Sequence, residues 1–257
     1  MKDVFKYVSL VIFVAFSNNI NAFCSYAGFD INNTNNQLTI PESEGRHPIV
    51  IISPGGRSGG SLKGYKSWIN FYKKKGIATL FIDSIKSHDC NKVGRWEDGD
   101  EFRQKDLKSA LIAIKNIDSI DTNNIFIQGH SAGSSMSMTA SKGLISDNGI
   151  RGAFTLYPAV YACEEWGKLE DKIPSLVFIG EKDMPLVRCW KSIGSPNYIE
   201  IEDAVHTYDL KFKERCHSTR FKNFGQLDQC YKHNAKGLAK TRKMILGFIK
   251  ENRQLLN

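Results

Sequence analysis

Short apolar runs rich in β-branched residues recur along the chain and alternate with longer segments of helical periodicity. Runs that are apolar at nearly every position are typical of parallel strands buried on both faces of a sheet. The pattern predicts strands at residues 48–53, 78–83, 124–129, 152–157, 175–180 and 198–202.

The segment FRQKDLKSALIAIKNI, between the second and third predicted strands, repeats apolar residues at three- and four-residue steps. That spacing predicts an amphipathic helix, whose apolar face consists of Leu107, Ala110, Leu111, Ile114 and Ile117. A last helix is predicted to bury Leu238, Ile245, Phe248 and Ile249. The alternation of strands and helices indicates the α/β class, with a mostly parallel central sheet and helices on both faces.

The amino terminus has the layout of a secretory signal peptide. Two lysines precede an apolar run at residues 8–16, which is too short to cross a bilayer, and a polar stretch then ends in Ala22. A buried strand or core helix is the alternative interpretation. We expect residues 1–22 to be removed and residues 23–257 to form a single domain, exported to the periplasm or the extracellular space.

The cysteines agree with export. The six cysteines lie beyond residue 22, and an even number in an oxidising compartment allows up to three disulfides. None has the C-x-x-C spacing of zinc clusters or thioredoxin-like redox motifs, so we interpret them as structural. Among the possible pairings we favour Cys216 with Cys230 and Cys163 with Cys189.

The formal net charge is +8, and basic residues gather in the last fifth of the chain. Such residues could attract anionic surfaces or acidic substrates. A solvated surface is the simpler interpretation, because no nucleic-acid-binding motif accompanies the charge. We expect no nucleic-acid partner, and no stable membrane insertion after signal removal.

One short motif carries the strongest chemical signal. Gly129-His130-Ser131-Ala132-Gly133 follows a predicted strand and precedes a segment of small residues that can form a helix. A G-x-S-x-G sequence between strand and helix is the setting of a nucleophile elbow, in which glycines relieve crowding around a strained serine. The amide of Ala132 would face a developing oxyanion. Ser131 as a plain helix N-cap is the alternative.

An acid and a base follow in the order that such a serine requires. Asp183 comes after the predicted strand at 175–180, and His206 comes after the strand at 198–202. Because the carboxyl ends of parallel strands share one edge of the sheet, we expect both side chains near Ser131. Among the other residues of these types, Glu181 and Asp203 are alternative acids and His217 is an alternative base.

Among the remaining histidines, His130 lies inside the motif, and we expect its side chain to pack beside the elbow and not to take part in the reaction. His47, His88 and His233 have no motif around them, and we expect them to lie at the surface.

A glycine-rich loop, SPGGRSGG at residues 53–60, follows the first predicted strand. Its glycines would let the backbone approach a substrate, and we expect the amide of Gly56 or Arg57 to be the second oxyanion donor. A phosphate-binding loop is the competing interpretation, but the G-x-x-x-x-G-K-[ST] pattern is not met.

The segments GHSAG, GEKDMPLVRC and DAVHTYD resemble the dienelactone hydrolase branch of the α/β-hydrolases, from about residue 48 to the end. The resemblance implies an α/β-hydrolase fold in which Ser131 is the nucleophile, His206 the base and Asp183 the orienting acid. Two features depart from the family pattern. The founding members use cysteine in the elbow, and many relatives carry His-Gly where this chain has Gly55-Gly56.

Together these features predict a secreted serine hydrolase that cleaves a small-molecule carboxylic ester through an acyl-enzyme, with no metal or organic cofactor. The same triad would also serve an acyltransferase or a peptidase. A non-catalytic binding protein on a hydrolase scaffold is an alternative of another class. Loops at 84–102 and 158–171 are expected to form pocket walls; they do not identify the substrate, and the sequence does not give the oligomeric state.

Overall fold

A computed structural model of the chain describes residues 26–56, 60–88, 96–194, 197–211, 213–221 and 225–254. Seven strands form one sheet in the order β1-β3-β2-β4-β5-β6-β7, in which β1 alone is antiparallel to its neighbour. Their bounds are Asn36–Thr39, His47–Ser53, Ala78–Ile82, Ile120–His130, Ile150–Leu156, Ser175–Gly180 and Tyr198–Ile201. A separate antiparallel hairpin consists of β8 (Arg215–Phe221) and β9 (Gly225–Tyr231).

Six α-helices accompany these strands in the described ranges. In chain order α1 to α6 they are Leu62–Lys73, Trp96–Ala113, Ser134–Ser141, Val160–Trp166, Met184–Ile193 and Ala235–Asn252. None of these helices is both long enough and apolar enough to span a membrane.

The apolar residues of β2 show how the layers are divided. Val50 and Ile52 belong to a buried cluster with residues of α1 and α6, whereas Ile49 and Ile51 belong to a second cluster with residues of α2 and α3. Since successive strand residues point to opposite faces, α1 and α6 cover one face of the sheet and α2 and α3 cover the other. The prediction of a mostly parallel sheet with helices on both faces is confirmed.

The chain changes direction across the sheet at β2. It runs from β2 outward to β3 and then returns to place β4 on the other side of β2. In open α/β sheets, ligands bind outside the carboxyl ends of the strands at such a switch point. Ser131 follows β4 directly and therefore lies at this position.

Each of the six predicted strands is present, although β4 begins four residues before its predicted start, at Ile120. The helix predicted over residues 102–117 is present as the last two thirds of α2 with the 3-10 turn Ile114–Asn116. Strand β1 and the β8–β9 hairpin were not predicted, because their sequences NQLT, RCHSTRF and GQLDQCY lack a continuous apolar run.

Both favoured disulfides are confirmed. Cys163 in α4 is bonded to Cys189 in α5, and Cys216 is bonded to Cys230 across the hairpin, where the two are opposite in register. The predicted signal peptide, Cys24, Cys90 and Arg57 lie outside the described residues.

The expectation that His47 and His88 lie at the surface was wrong. His47 is buried against the backbone carbonyls of Ser43 and Gly76, at 3.0 and 3.1 Å. His88 is also buried, and its Nε2 lies 3.0 Å from Oδ1 of Asp106. Each imidazole has a polar partner distant in sequence, Gly76 for His47 and Asp106 for His88, and periodicity does not reveal such contacts.

Candidate active site

The elbow is a sharp turn between β4 and α3. β4 ends at His130, and Ser131 opens a 3-10 turn that runs to Gly133 and continues into α3. The φ angle of Ser131 is +49°, in the left-handed region that non-glycine residues rarely occupy. Such strain is typical of residues that a surrounding structure holds for a function.

Two glycines let the elbow and the loop after β2 pack backbone against backbone. A Cβ atom at Gly133 would lie 2.4 Å from the carbonyl oxygens of Ser53 and Pro54. A Cβ atom at Gly55 would lie 2.7 Å from the Cβ atom of Ser131. Any larger residue at either position would push the loop away from the serine.

The structure brings the three predicted triad residues together. Oγ of Ser131 lies 3.0 Å from Nε2 of His206, and Nδ1 of His206 lies 2.6 Å from Oδ2 of Asp183. Asp183 and His206 are 2% and 4% exposed, so water has little access to their contact. This geometry permits a proton to move from the serine to an imidazole that a carboxylate orients.

The alternative acids lie elsewhere. Glu181 and Asp203 are exposed; Glu181 accepts a hydrogen bond from the Asp203 amide, and Asp203 forms a 2.8 Å ion pair with Lys182. The side chain of His217, the alternative base, is outside the described part of the chain.

The loop that was predicted to supply an oxyanion donor adjoins Ser131 through Gly55. Gly56 has a φ of +90°, and its carbonyl accepts a 2.9 Å hydrogen bond from Nη2 of Arg103. At the far end of the loop, Nζ of Lys86 donates to the carbonyl of Gly60 at 3.0 Å. Ala132, whose amide is the first predicted donor, is buried in the 3-10 turn.

Behind the elbow lies a buried hydrogen-bond network that the sequence did not reveal. Nδ1 of His130 contacts the Tyr157 hydroxyl at 2.8 Å and Oδ2 of Asp209 at 3.3 Å. The Tyr157 hydroxyl donates to Asp209 at 2.5 Å, and Nε1 of Trp68 donates to the same carboxylate at 2.6 Å. Asp209 therefore joins α1, β4 and the segment after β5.

The network continues along β4. The Gln128 amide donates to Nε2 of His130 at 2.7 Å, and the Tyr72 hydroxyl donates to Oε1 of Gln128. Because Nε2 of His130 accepts this bond, its proton is on Nδ1, facing Asp209. Gln128 and His130 are two residues apart and so project to the same face of the sheet, toward α1.

The charge of Asp209 is stabilised despite complete burial. Burial alone would raise the pKa of this carboxyl, but His130, Tyr157 and Trp68 outweigh it, so that the pKa is below its ordinary value. His130 thus packs beside the elbow, as expected, and its polar partners hold Tyr157 in place. The Tyr157 ring in turn contacts the His206 ring edge-on, at 4.9 Å between centroids.

The β8–β9 hairpin covers the other side of His206. Tyr231 forms an isolated β-bridge with His206, and the two rings meet edge-on at 5.7 Å. The guanidinium of Arg215 lies 5.1 Å from the Tyr231 ring. Burial raises the pKa of Tyr231, and Arg215 acts in the opposite direction. His206 therefore contacts two tyrosine rings from different parts of the chain.

No protein-family model matches this sequence, and no curated protein is similar to it. Solved structures do match. Dienelactone hydrolase from Anabaena variabilis is 14% identical with a TM-score of 0.58, over 85% of this chain and 92% of that one. The carboxylesterase EstE1 from a metagenomic library is 14% identical with a TM-score of 0.57, over 86% and 85%.

Esterase 2 of Thermogutta terrifontis, in a propionate-bound structure, is 15% identical with a TM-score of 0.54, over 86% of this chain and 91% of that one. The same esterase has also been solved after phosphonylation by sarin. At this level of identity the similarities show the fold, which is that of the α/β-hydrolases.

Proposed function

We propose that this protein is an exported serine hydrolase, similar to dienelactone hydrolases and carboxylesterases, that cleaves a carboxylic ester. The observation that carries the proposal is the unbroken chain of contacts from Oγ of Ser131 through His206 to Asp183. Ser131 has in addition the strained backbone of a nucleophile elbow, at the switch point of an α/β-hydrolase sheet.

In the first step, His206 takes the proton of Ser131 as Oγ attacks the ester carbonyl, and Asp183 holds the imidazole in the required tautomer. The tetrahedral oxyanion is stabilised by the Ala132 amide and by an amide of the loop after β2. The alkoxide leaves with the proton from His206. Water, activated by the same imidazole, then hydrolyses the acyl-enzyme and releases the acid and free Ser131.

The fold neighbours support ester chemistry, since those compared above are named as a dienelactone hydrolase and as esterases. Two disulfides fit an oxidising compartment, which supports export. The substrate is proposed as a small-molecule ester.

A fluorophosphonate probe and a panel of p-nitrophenyl esters test the proposal. The wild-type protein should be labelled on Ser131 and should hydrolyse at least one short ester. Ser131→Ala should abolish labelling and lower kcat by about 10⁴-fold or more, because the nucleophile is lost. His206→Ala should have a similar effect, and the double variant should be little worse than either single one.

Ser134→Ala is the matched control. Ser134 lies in the next turn, and its buried hydroxyl has no hydrogen-bond partner within the described ranges, so this variant should stay active and labelled. Labelling of Ser131→Ala would refute the assignment of the nucleophile. A wild-type protein that is inactive on ester, amide and acyl-transfer panels would favour a binding protein on this scaffold.

A further inference from the structure

Arg103 is a buried cation close to the candidate site. It lies on α2, within the segment FRQKD, and its side chain is only 2% exposed. A buried guanidinium needs paired and directional partners, because its desolvation is unfavourable. Its partners therefore show which groups this charge holds in position.

The two ends of the guanidinium have different partners. Nη1 lies 3.3 Å from Oδ1 of Asp100, one helical turn earlier on α2, and Nη2 donates to the carbonyl of Gly56 at 2.9 Å. The first contact balances the charge, and the second holds a backbone group of the loop that adjoins Ser131. A planar fork with several fixed donors can form both contacts at once, whereas a lysine ammonium is a single point charge.

Asp100 connects this arrangement to α4 and α3. Its Oδ1 accepts a 3.0 Å hydrogen bond from the hydroxyl of Tyr161 on α4. Burial raises the pKa of Asp100, and Arg103, Ser135 and Tyr161 each oppose that rise. Ser135 lies on α3, the helix that continues from the elbow, and its hydroxyl donates to the Ala132 carbonyl at 3.3 Å.

The Gly56 carbonyl belongs to the part of the loop where the sequence predicts the second oxyanion donor. The carbonyl that Arg103 holds is attached to the Gly56 Cα atom, so this contact limits rotation within Gly56, whose own amide is one of the two predicted donors. Gly56 has a φ of +90°, and glycine gives the chain wide freedom unless another contact restricts it. Arg103 provides that restriction.

We infer that Arg103 is a positioning residue, which holds Gly56, in the loop after β2, in the conformation that stabilises the oxyanion. This inference rests on the proposed function, because an oxyanion forms only if Ser131 attacks a carbonyl. Arg103 acts through the backbone of Gly56, and Asp100 keeps the guanidinium in position. The pair should therefore affect the tetrahedral state more than the binding of the ester.

The test compares Arg103→Met and Arg103→Lys with the wild-type protein, and counts active sites with the fluorophosphonate probe. In Arg103→Met, kcat per labelled site should fall by about 10- to 100-fold, and KM should change less than about threefold. Arg103→Lys should lose less, because it keeps the charge but not the fork. Affinity for phenylboronic acid, which forms a tetrahedral adduct with serine, should fall in parallel with kcat.

Lys108→Met is the matched control, because Lys108 is an exposed cation on the next turns of α2. It should retain wild-type kcat and boronate affinity. A purely structural role for Arg103 would reduce the number of labelled sites and the melting temperature, yet leave kcat per site and boronate affinity unchanged; that result would overturn the inference.

Two further outcomes distinguish failure of this inference from failure of the proposed function. If Arg103→Met does not fold, Arg103→Lys decides, and wild-type kcat per site with wild-type boronate affinity in that variant would count against the inference. If the wild-type protein shows neither labelling nor turnover, the proposed function itself fails.

Discussion

Asp83 shows how a single residue near the site can oppose stability. It follows β3, is 1% exposed, and accepts hydrogen bonds from the amides of Ile85 and Lys86 at 3.3 and 3.2 Å. Burial raises its pKa to about 6, although those amides and the Lys86 ammonium at 3.9 Å favour the charged form. At neutral pH the folded state therefore holds an ionised carboxylate in an unfavourable environment.

Asp83→Asn should remove that unfavourable term while keeping one oxygen as acceptor for the two amides. Because the folded pKa lies above the unfolded one, the folded wild-type protein gains stability as pH falls from about 6 to about 4. We expect the variant to raise the free energy of unfolding by about 1–2 kcal/mol at pH 7.5 and by close to zero at pH 4. Urea unfolding across this pH range measures the difference.

Asp147→Asn is the comparison variant. Asp147 forms a 2.6 Å ion pair with Lys115, and the pKa of its carboxyl is below the ordinary value. Asp147→Asn should therefore lower the free energy of unfolding at neutral pH, whereas Asp83→Asn should raise it. An Asp83→Asn protein that is destabilised at pH 7.5 would contradict the account of Asp83.

Residues whose chemistry depends on local sequence were predictable, and those with distant partners were not. Ser131 was predicted from its motif, and Asp183 and His206 were predicted because each follows a strand; the structure brings the three side chains together. Asp209 contacts residues 52 and 141 positions away, so no local pattern distinguishes it from a loop carboxylate. Arg103 was missed for the same reason, since its partner Gly56 lies 47 residues earlier.

Among the elements, the β8–β9 hairpin depends most on a disulfide for its stability. Its side chains are largely exposed where described, and an isolated two-stranded hairpin is marginally stable. Cys216–Cys230 links the two strands next to Tyr231, which packs on His206. The sequence could not predict these strands, because their exposed faces leave no apolar alternation.

The double variant Cys216→Ala/Cys230→Ala should loosen this hairpin. Closing a loop of about 15 residues contributes about 3 kcal/mol in the chain-entropy model, so amide exchange at 215–231 should become about 10²-fold faster. Ester turnover should fall, since Tyr231 supports His206. Hydrogen exchange followed by mass spectrometry measures the first effect. Cys163→Ala/Cys189→Ala is the control, and unchanged exchange at 215–231 in the first variant would contradict the prediction.

At the scale of the whole molecule, the order of the strands determines where the site lies. The predicted strands were sufficient to identify the edge of the sheet that carries the site. The central strands are apolar at nearly every position, so their assignment followed from composition alone. The antiparallel β1 was not predicted, because a short edge strand has one neighbour and tolerates polar residues.

The proposed export concerns the whole chain and can be tested directly. Intact-mass analysis of the protein from its native cell should show an amino terminus near Phe23. Peptide mapping without reduction should recover residues 163 and 189, and residues 216 and 230, as linked pairs. The reduced sample serves as the control. A full-length product that keeps Met1 and has six alkylatable thiols would contradict export.

The hydrogen-bond network behind the elbow should restrict which substitutions this sequence can accept. Each donor in it is matched to one acceptor: Tyr72 on α1 to Gln128 on β4, Gln128 to His130 on the same strand, and Trp68 on α1 to Asp209. Loss of one partner leaves a buried polar group unpaired, at about 1–3 kcal/mol. In descendants of this sequence these positions should therefore change together or not at all, so that Tyr72 and Gln128, though 56 residues apart, evolve as one unit.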